Sequence, residues 1–492
     1  MKKIIAVAFA LLLTGGASAQ IDEDFESIKK QMQSEYSAFR NKMQQDYNDF
    51  RKKANEDYSR FMEQVWEEMR VFKGEEPPQR PKPVRQPEAV PDRLPPSAPV
   101  PLPTPEVVPL PERLPPPEWN PDELIDELPK PELQEPTVGM TFYGTNCHLH
   151  IDAAQRVTLK AVNEKAAAQA WKELSDGRYD ALLRDCLALR SSMNLGDWGY
   201  IELARQAAIT AMGQSGDEAT LLQAWLLSQS GIELRLAMAD GHFVLLMAFN
   251  EEIYRYSYIR KKDQRFYILD DKGDGKVQVC DMAFPKTHIA TLRLQRLPSL
   301  PMNSNSQRAF AAKHFATMKA SVSVNRNLMR FFDNYPQSKS YNYYVDASLS
   351  DEMKQQLYPT LKQQLEGKSK KKQVQMLLDF VQTSFDYKTD QEQFGRERSF
   401  FGDESFYHPY NDCEDRSILF SILVRELVGL DVVLLSLPNH MATAVCFDCD
   451  VPGSYYTVND RNFTVCDPTF IGAGIGEAMP EYQNVKARII RL

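Results

Sequence analysis

The sequence predicts an α+β fold with antiparallel strands, preceded by a long helix and a disordered proline-rich linker. Three observations lead to this prediction. An eleven-residue repeat occupies residues 21–64, and 21 of the 31 prolines lie between residues 75 and 136. From about residue 138, helical and strand-like apolar patterns alternate, which is typical of a globular region. The chain is therefore divided into an N-terminal helix, a linker and a folded C-terminal part.

Residues 1–19 carry the features of a secretory signal peptide. The segment MKKIIAVAFALLLTGGASAQ contains a lysine pair, an apolar run and then Ala17-Ser18-Ala19, so cleavage is expected after Ala19. No cysteine follows the apolar run, which argues against a lipid anchor. No later apolar stretch is long enough to cross a bilayer. We therefore expect an exported protein, periplasmic or secreted. Its net charge of -9 and lack of a basic block disfavour binding to nucleic acid.

Residues 20–73 are predicted to form one long helix. Four eleven-residue units repeat an apolar residue at positions one, five and eight, and eleven residues make three turns at 3.67 residues per turn. The stripe consists of Ile21, Met32, Met43, Ala54, Phe25, Tyr36, Tyr47, Tyr58, Ile28, Phe39, Phe50 and Phe61. A single helix cannot bury such a stripe. Self-association through residues 21–64 is the leading hypothesis, and docking onto another protein or back onto this chain is the alternative.

Residues 74–137 are predicted to be a linker without a packed core. Proline fixes φ and lacks an N–H group, so a proline-rich chain favours an extended polyproline II conformation. We expect a semi-rigid spacer between the helix and the folded region.

The segment YNDCEDRSILFSILVREL places a cysteine at the start of a helix. Asn411 or Asp412 is a suitable N-cap, an apolar helical pattern follows, and Gly429 ends it. Cys413 is therefore expected in the first helical turn, where the helix dipole favours the reactive thiolate.

Two further residues follow Cys413 in the chain order of a nucleophile, a general base and an orienting acid. His440 begins the second strand predicted in LDVVLLSLPNHMATAVCF, and Asp467 ends the second strand predicted in YYTVNDRNFTVCDPTF. In thiol catalysis an imidazole takes the thiol proton and a carboxylate orients the imidazole. Cys413, His440 and Asp467 are therefore the candidate catalytic residues.

The motifs DCEDRSILFSILVRELVGLDVV, NHMATAV and VCDPTF resemble the three core motifs of the transglutaminase-like superfamily, which has a papain-like fold. The resemblance covers roughly residues 370–475. It implies a catalytic domain at 301–492, in which a Cys-bearing helix packs on an antiparallel sheet. It also implies that this domain hydrolyses amide bonds of a peptide or protein substrate through an acyl-enzyme. The alternatives are a protein-glutamine acyl transferase that crosslinks proteins and a non-catalytic binding scaffold.

The string DCED also resembles that of the periplasmic bacterial transglutaminase-like cysteine proteinases. In that subgroup the acids beside the cysteine can bind calcium, and the matching positions here are Asp412 and Glu414. The favoured interpretation is that both acids only cap the helix and complement its dipole, and calcium binding is the alternative. We therefore expect no cofactor. Cys446 and Cys449 form a CxxC pair, but no second pair completes a zinc site.

A second copy of the motif lies upstream. Residues 215–247 align without gaps to residues 413–445, which places Ser215 on Cys413 and His242 on His440. Asp270 follows at nearly the spacing of Asp467. We therefore expect two tandem transglutaminase-like domains, of which the first, at 138–300, is degenerate. The alternative is a working Ser215–His242–Asp270 triad.

Overall fold

A helix of 45 residues, α1 (Ser18–Met62), opens the described part of the molecule. The computed structural model describes residues 18–77, 97–108, 137–152, 154, 156–269 and 275–492, with side chains from residue 29 onward. The eleven-residue repeat predicted this helix over residues 20–73, and the C-terminal bound is wrong. The helix ends at Met62, because Glu67–Arg70 pairs as a strand with residues 276–279. Most of the predicted signal peptide, residues 1–17, lies outside the described residues. None of the helices described is both long and apolar enough to cross a membrane.

The predicted α+β class with antiparallel sheets is confirmed. After α1, the helices are α2 (Glu164–Leu174), α3 (Asp180–Ser192), α4 (Asp197–Met212), α5 (Asp217–Gln229), α6 (Arg326–Asp333), α7 (Asn342–Asp346), α8 (Asp351–Leu365), α9 (Lys370–Thr383), α10 (Asp390–Phe394), α11 (Glu404–Tyr407) and α12 (Cys413–Leu423). A π-helical turn (Val424–Val428) follows α12, and a 3₁₀ turn (Pro480–Tyr482) lies near the C-terminus.

Seventeen strands occur among the described residues. They are β1 (Glu67–Arg70), β2 (Pro99–Pro101), β3 (Glu106–Val107), β4 (Thr137–Phe142), β5 (Thr145–His150), β6 (Leu234–Ala239), β7 (His242–Ala248), β8 (Tyr258–Lys261), β9 (Gln264–Ile268), β10 (Lys276–Cys280), β11 (Asn305–Ala311), β12 (Lys319–Asn325), β13 (Val432–Leu437), β14 (His440–Val445), β15 (Gly453–Val458), β16 (Arg461–Cys466) and β17 (Arg488–Arg491). Strands β4–β5 and β11–β12 form separate hairpins.

The two larger sheets share one strand order. The first sheet runs β1-β10-β6-β7-β9-β8, and the second runs β2-β15-β16-β14-β13-β17-β3. If the edge strands from the N-terminal region are left out, each sheet has five antiparallel strands. Numbered one to five along the chain, these strands lie side by side in the order five, one, two, four, three. Helix α5 precedes the first sheet's five strands, and α12 precedes those of the second. The first two strands in each sheet also pair in the same register, since Ala239 lies opposite His242 and Leu437 opposite His440.

Part of the proline-rich segment belongs to the second sheet. Strand β2 pairs in parallel with β15, and β3 pairs in parallel with β17, at the opposite edge. The five steps from Pro101 to Glu106 span at most about 18 Å, whereas opposite edges of a flat seven-stranded sheet would be about 29 Å apart. The sheet must therefore be strongly curved. Leu102 and Val107 pack against its apolar face, away from helix α12.

The prediction of a spacer without tertiary contacts is thus wrong for residues 97–108. Pro99 and Pro101 have no N–H to donate, but an edge strand needs only half of its backbone groups for pairing. The groups that do pair include the N–H of Leu102, which donates to the Tyr455 carbonyl at 2.9 Å, and the Ala98 carbonyl, which accepts from Gly453 at 2.9 Å. Residues 78–96 and 109–136 of the predicted linker lie outside the described residues.

The C-terminal half of α1 packs on the first half of the folded region. The Tyr58 ring is fully buried, with its centroid 4.7 Å from that of Trp171 and 5.6 Å from that of Phe284. Trp171 donates its indole N–H to Asn55 Oδ1 at 2.9 Å. The apolar stripe therefore serves as an interface within this chain from about residue 47 to residue 62.

The preceding part of the stripe is exposed. Met32, Tyr36, Phe39 and Met43 are 54%, 67%, 62% and 48% exposed. These side chains occupy the same repeat positions as the buried ones. Self-association through this part of the helix stays a prediction.

The Tyr58 hydroxyl offers a test of the α1 interface, because it has no hydrogen-bond partner among the described residues. Tyr58→Phe should leave the free energy of unfolding unchanged or raise it by up to about 1 kcal/mol, since it removes an unsatisfied buried group. Tyr58→Ala should lower it by about 3–5 kcal/mol through loss of ring contacts. Urea denaturation followed by tryptophan fluorescence measures both. A Tyr58→Phe variant as unstable as Tyr58→Ala would contradict the interface described.

Candidate functional site

Cys413 is the first residue of α12, as the sequence predicted. Asp412 is the N-cap, and its N–H donates to Asp415 Oδ2 at 3.2 Å, which is one arm of a capping box. The helix continues into the π-helical turn and ends at Gly429, whose φ of 70° is left-handed. The Cys413 side chain is buried, with 4% of its surface exposed, and its Sγ lies 3.1 Å from Glu414 Oε2.

His440 and Asp467 form a buried pair. His440 begins β14 and Asp467 follows β16, and their atoms Nε2 and Oδ2 are 2.8 Å apart. Both side chains are 3% exposed. Asp467 Oδ1 accepts the N–H groups of Thr469 at 2.9 Å and Phe470 at 3.2 Å, so its carboxylate is held from both sides. With Nε2 committed to Asp467, Nδ1 is the ring nitrogen left for proton transfer.

Helix α12 places Cys413 beside this pair. One turn after Cys413, Ser417 Oγ donates to the carbonyl of Met441, which follows His440, at 3.1 Å. Tyr482 stacks on the His440 ring with centroids 5.3 Å apart and an interplanar angle of 13°. Burial, followed by the negative charges of Glu481, Cys413 and Asp467, raises the pKa of Tyr482 to about 12. The Tyr482 hydroxyl donates to the Pro438 carbonyl at 3.1 Å, which holds the ring over His440.

Gln382, on α9, supports the loop that carries Asp467 and was missed in the sequence. Its Nε2 lies within hydrogen-bond distance of three carbonyl oxygens, those of Asp467 (2.9 Å), Phe470 (2.9 Å) and Ala473 (3.1 Å). Its Oε1 accepts the N–H of Gly472 at 3.3 Å. The side chain is 2% exposed. No local pattern marks this glutamine, because its partners lie about 85–91 residues later in the chain.

Five buried carboxylates surround the first turn of α12. They are Asp390, Glu397, Asp412, Glu414 and Asp415. They form overlapping groups whose ligand atoms lie within 4.8 Å of one another. Burial, followed by repulsion from Asp415 and Glu414, raises the pKa of Asp390 well above its usual range. Burial, followed by repulsion from Asp412 and Glu414, does the same for Asp415. The sequence identified only Asp412 and Glu414 as candidate ligands.

The equivalent position in the first half is built differently. Ser215 is exposed and precedes α5, whereas Cys413 lies inside α12. His242 is half-exposed, and its Nδ1 lies 3.1 Å from Asp217 Oδ2. The expected partner, Asp270, lies outside the described residues. Asp217 aligns with Asp415, so the described carboxylate partner of His242 comes from the helix and not from the strand that aligns with β16.

The remaining cysteines take no part in the site. All seven cysteines are among the described residues, and none forms a disulfide. Cys449 is exposed and Cys446 half-buried, while burial raises the pKa of Cys186, Cys280 and Cys466 above the usual thiol value. Cys413 is the only one of the seven that is the first residue of a helix.

Comparisons with models of protein families, with curated proteins and with solved structures give no match for this chain. Function is therefore inferred from the geometry of the site.

Gln382→Leu tests whether the Asp467 loop depends on this one side chain. The substitution keeps the side-chain size but leaves four backbone groups without their partner, so the free energy of unfolding should fall by about 3 kcal/mol. The exposed Gln391→Leu is the matched control and should stay within about 0.5 kcal/mol of the wild type. Chemical denaturation measures both variants. Equal stability of the two would show that Gln382 does not hold the loop.

Proposed function

We propose that the chain is an exported cysteine hydrolase that cleaves amide bonds of a peptide or protein substrate. The observation that carries this proposal is the buried His440–Asp467 pair, 2.8 Å apart, beside a helix N-terminus that begins with Cys413. A buried histidine and aspartate in contact also occur as structural pairs. What favours catalysis is the third element, a thiol placed in the first turn of the helix that packs on the histidine's own strand.

The fold proposal is a tandem pair of transglutaminase-like domains with papain-like architecture. The shared strand order of the two sheets and the equal register at His242 and His440 support a duplication. The first copy is proposed to be degenerate. Its serine is exposed and its histidine contacts Asp217, so no described carboxylate plays the part that Asp467 plays in the second copy.

In the proposed acylation step, the Cys413 thiol gives its proton to His440 Nδ1 and the sulfur attacks the substrate carbonyl carbon. Asp467 holds the Nε2–H and stabilises the imidazolium. The negative charge develops on the carbonyl oxygen, and the N–H of Cys413 in the first helical turn is the proposed donor to it. The imidazolium then returns the proton to the amine, the C–N bond breaks, and a thioester with Cys413 remains.

In the second step His440 takes a proton from water, and the resulting hydroxide attacks the thioester. The C–S bond breaks, the thiolate regains a proton from His440, and a carboxylic acid leaves. An amine in place of water would give a new amide, which is the acyl-transferase alternative. The ring of Tyr482, stacked on His440, helps to exclude solvent from the imidazole.

Cys413→Ala, added to envelope proteins in parallel with the wild-type mature chain, tests the proposal. The wild type should generate new protein N-termini, and Cys413→Ala should reduce their formation by about a thousandfold or more, because the nucleophile is lost. Cys449→Ala removes an exposed thiol, and Ser215→Ala removes the serine of the first copy. Both should retain full activity. Labelling of new N-termini followed by mass spectrometry is the measurement.

Two outcomes would redirect or overturn the proposal. Incorporation of a labelled primary amine by the wild type, without new N-termini, would establish acyl transfer. Equal product profiles for the wild type and Cys413→Ala, together with no alkylation of native Cys413 by iodoacetamide, would indicate a binding scaffold.

The acidic cluster suits calcium. Five carboxylates can supply the six to eight oxygens that Ca²⁺ requires, whereas Asp412 and Glu414 alone could not. The Asn411 side chain is 1% exposed and has no hydrogen-bond partner among the described residues. Asp390, Glu397, Asp412, Glu414 and Asp415 would hold the ion. Bound calcium would neutralise the repulsion among acids beside Cys413.

We expect millimolar Ca²⁺ to raise the Tm of chelator-treated protein by several degrees, because the ion binds only the folded cluster. Asp390→Asn should abolish most of this shift, and the exposed Asp450→Asn should leave it intact. Differential scanning calorimetry with Mg²⁺ as the comparison ion measures the effect. Equal shifts for the two variants would place any calcium elsewhere.

A further inference from the structure

The N-terminal part of α1 extends beyond the folded region of its own chain and presents an apolar stripe. The described side chains of this part of the stripe are between 48% and 67% exposed, and they are Met32, Tyr36, Phe39 and Met43. In the sequence, the repeat continues toward the N-terminus through Ile28, Phe25 and Ile21. The helix from residue 21 to residue 43 is about 33 Å long. A helix of this length is marginal in water without a partner, and a row of exposed apolar side chains marks an interaction surface.

The same stripe is already an interface one turn further along the helix. Tyr47 and Tyr58 are 8% and 0% exposed. Beside them, Arg51 Nη2 pairs with Asp180 Oδ1 at 2.8 Å, and Arg51 Nε donates to Gln229 at 3.0 Å. From Tyr47 onward, this face of α1 is therefore covered by the folded region of the same chain. A partner for the exposed stripe has to fit before Tyr47.

A second copy of the chain cannot pack on the exposed stripe in parallel. In a parallel pair the same residues of the two helices face each other, with the axes about 8–10 Å apart. The folded region of each copy covers the facing surface from Tyr47 to Met62. Both folded regions would then have to fit into that gap, one turn beyond Met43. An antiparallel pair avoids the clash, because each helix runs on past the start of the other.

The spacing of the stripe is symmetric about Met32. Ile28, Phe25 and Ile21 precede Met32 by four, seven and eleven residues, and Tyr36, Phe39 and Met43 follow it by the same numbers of residues. When two antiparallel helices cross with their Met32 residues opposite, each apolar position of one helix lies level with an apolar position of the other. The stripe of one copy then covers the exposed stripe of the other and ends just short of Tyr47.

The charges beside the stripe follow the same symmetry. Residues 21–26 contain four acids and no base, while residues 36–43 contain two bases and no acid. In the antiparallel pair the acidic segment of each helix lies level with the basic segment of the other, at an axis separation comparable to the Debye length. The residues at equal distances before and after Met32 are Asp22 with Lys42, Asp24 with Arg40, and Lys29 with Glu35.

We propose that two copies of this chain associate through residues 21–43 of α1, as an antiparallel pair with a two-fold axis at Met32. Each copy contributes the same surface to such an interface. The two Met62 residues, where the helices end, would lie about 90 Å apart, so the dimer carries its folded regions at opposite ends of a rod. Two linked copies bind a target with repeated sites more tightly than one copy does. The proposal does not depend on catalysis at Cys413.

Sedimentation velocity of the mature chain, residues 20–492, tests the association. The wild type should be a dimer at micromolar concentration. Tyr36→Asp combined with Phe39→Asp should raise the Kd of the dimer by about a hundredfold or more, because the interface would bury unpaired charges. Ser34→Asp combined with Asn41→Asp makes the same charge change at exposed positions on the opposite face of the helix. This control should sediment as the wild type does.

Single cysteines on the stripe test the direction of packing. The background is Cys449→Ser, which removes the exposed native thiol. Met32→Cys should give a covalent dimer with a short bismaleimide, because the two copies of residue 32 meet at the two-fold axis. Met43→Cys should not, since the two copies of residue 43 would lie about 33 Å apart along the rod. The background without an added cysteine is the control.

Three results would overturn the proposal. Equal crosslinking of Met32→Cys and Met43→Cys would indicate a parallel pair. A monomeric wild type would mean that another protein, or another part of this chain, covers the stripe. Equal sedimentation of the stripe variant and its control, with both folded by circular dichroism, would place the dimer interface elsewhere.

Discussion

The packing of helix α12 against strand β14 is the contact on which the candidate site depends. The helix dipole and the first-turn N–H groups act only on a thiol at the start of the helix. The imidazole can reach that thiol only if β14 begins beside the helix N-terminus. The hydrogen bond from Ser417 to the Met441 carbonyl fixes this alignment of helix and strand. The pairing of β14 with β16 then brings Asp467 to His440, because β16 ends one residue before Asp467. A slip of one residue would turn His440 to the other face of the sheet.

The surrounding structure stabilises this arrangement by distributing buried polar groups among distant segments. Gln382 satisfies carbonyls of the Asp467 loop from α9, and the Phe400 N–H donates to Asp415 at 3.0 Å. Residues 97–108 close both edges of the curved sheet. Each contact satisfies a group whose burial would otherwise be unfavourable. The carboxylates beside Cys413 carry an excess of negative charge. Arg398 and Arg416 interact with Asp415, but five buried acids outnumber these two cations, and this excess is the physical basis for proposing calcium.

The two halves share a topology but differ in their chemistry. Both have a helix followed by five strands in one order, and both begin the second strand with histidine. Cys413 is buried inside its helix, whereas Ser215 is exposed before the helix, and the described carboxylate partner of His242 is Asp217. The halves also meet around a cavity lined by residues of both. The proposal that the first half is degenerate rests on the exposed Ser215 and on the Asp217 partner of His242.

Local chemistry by itself determined much of this protein. The eleven-residue repeat specified a long helix, the Asp412 cap placed Cys413 in the first turn, and the alternation of residues specified the strands that begin at His440 and end before Asp467. These features depend on neighbours within about eleven residues. Only the tertiary structure decided that half of the helix packs on its own chain, that prolines form edge strands, and that Asp390, Glu397 and Gln382 join the site. Those outcomes depend on contacts between residues far apart in the chain, which no periodicity or motif encodes.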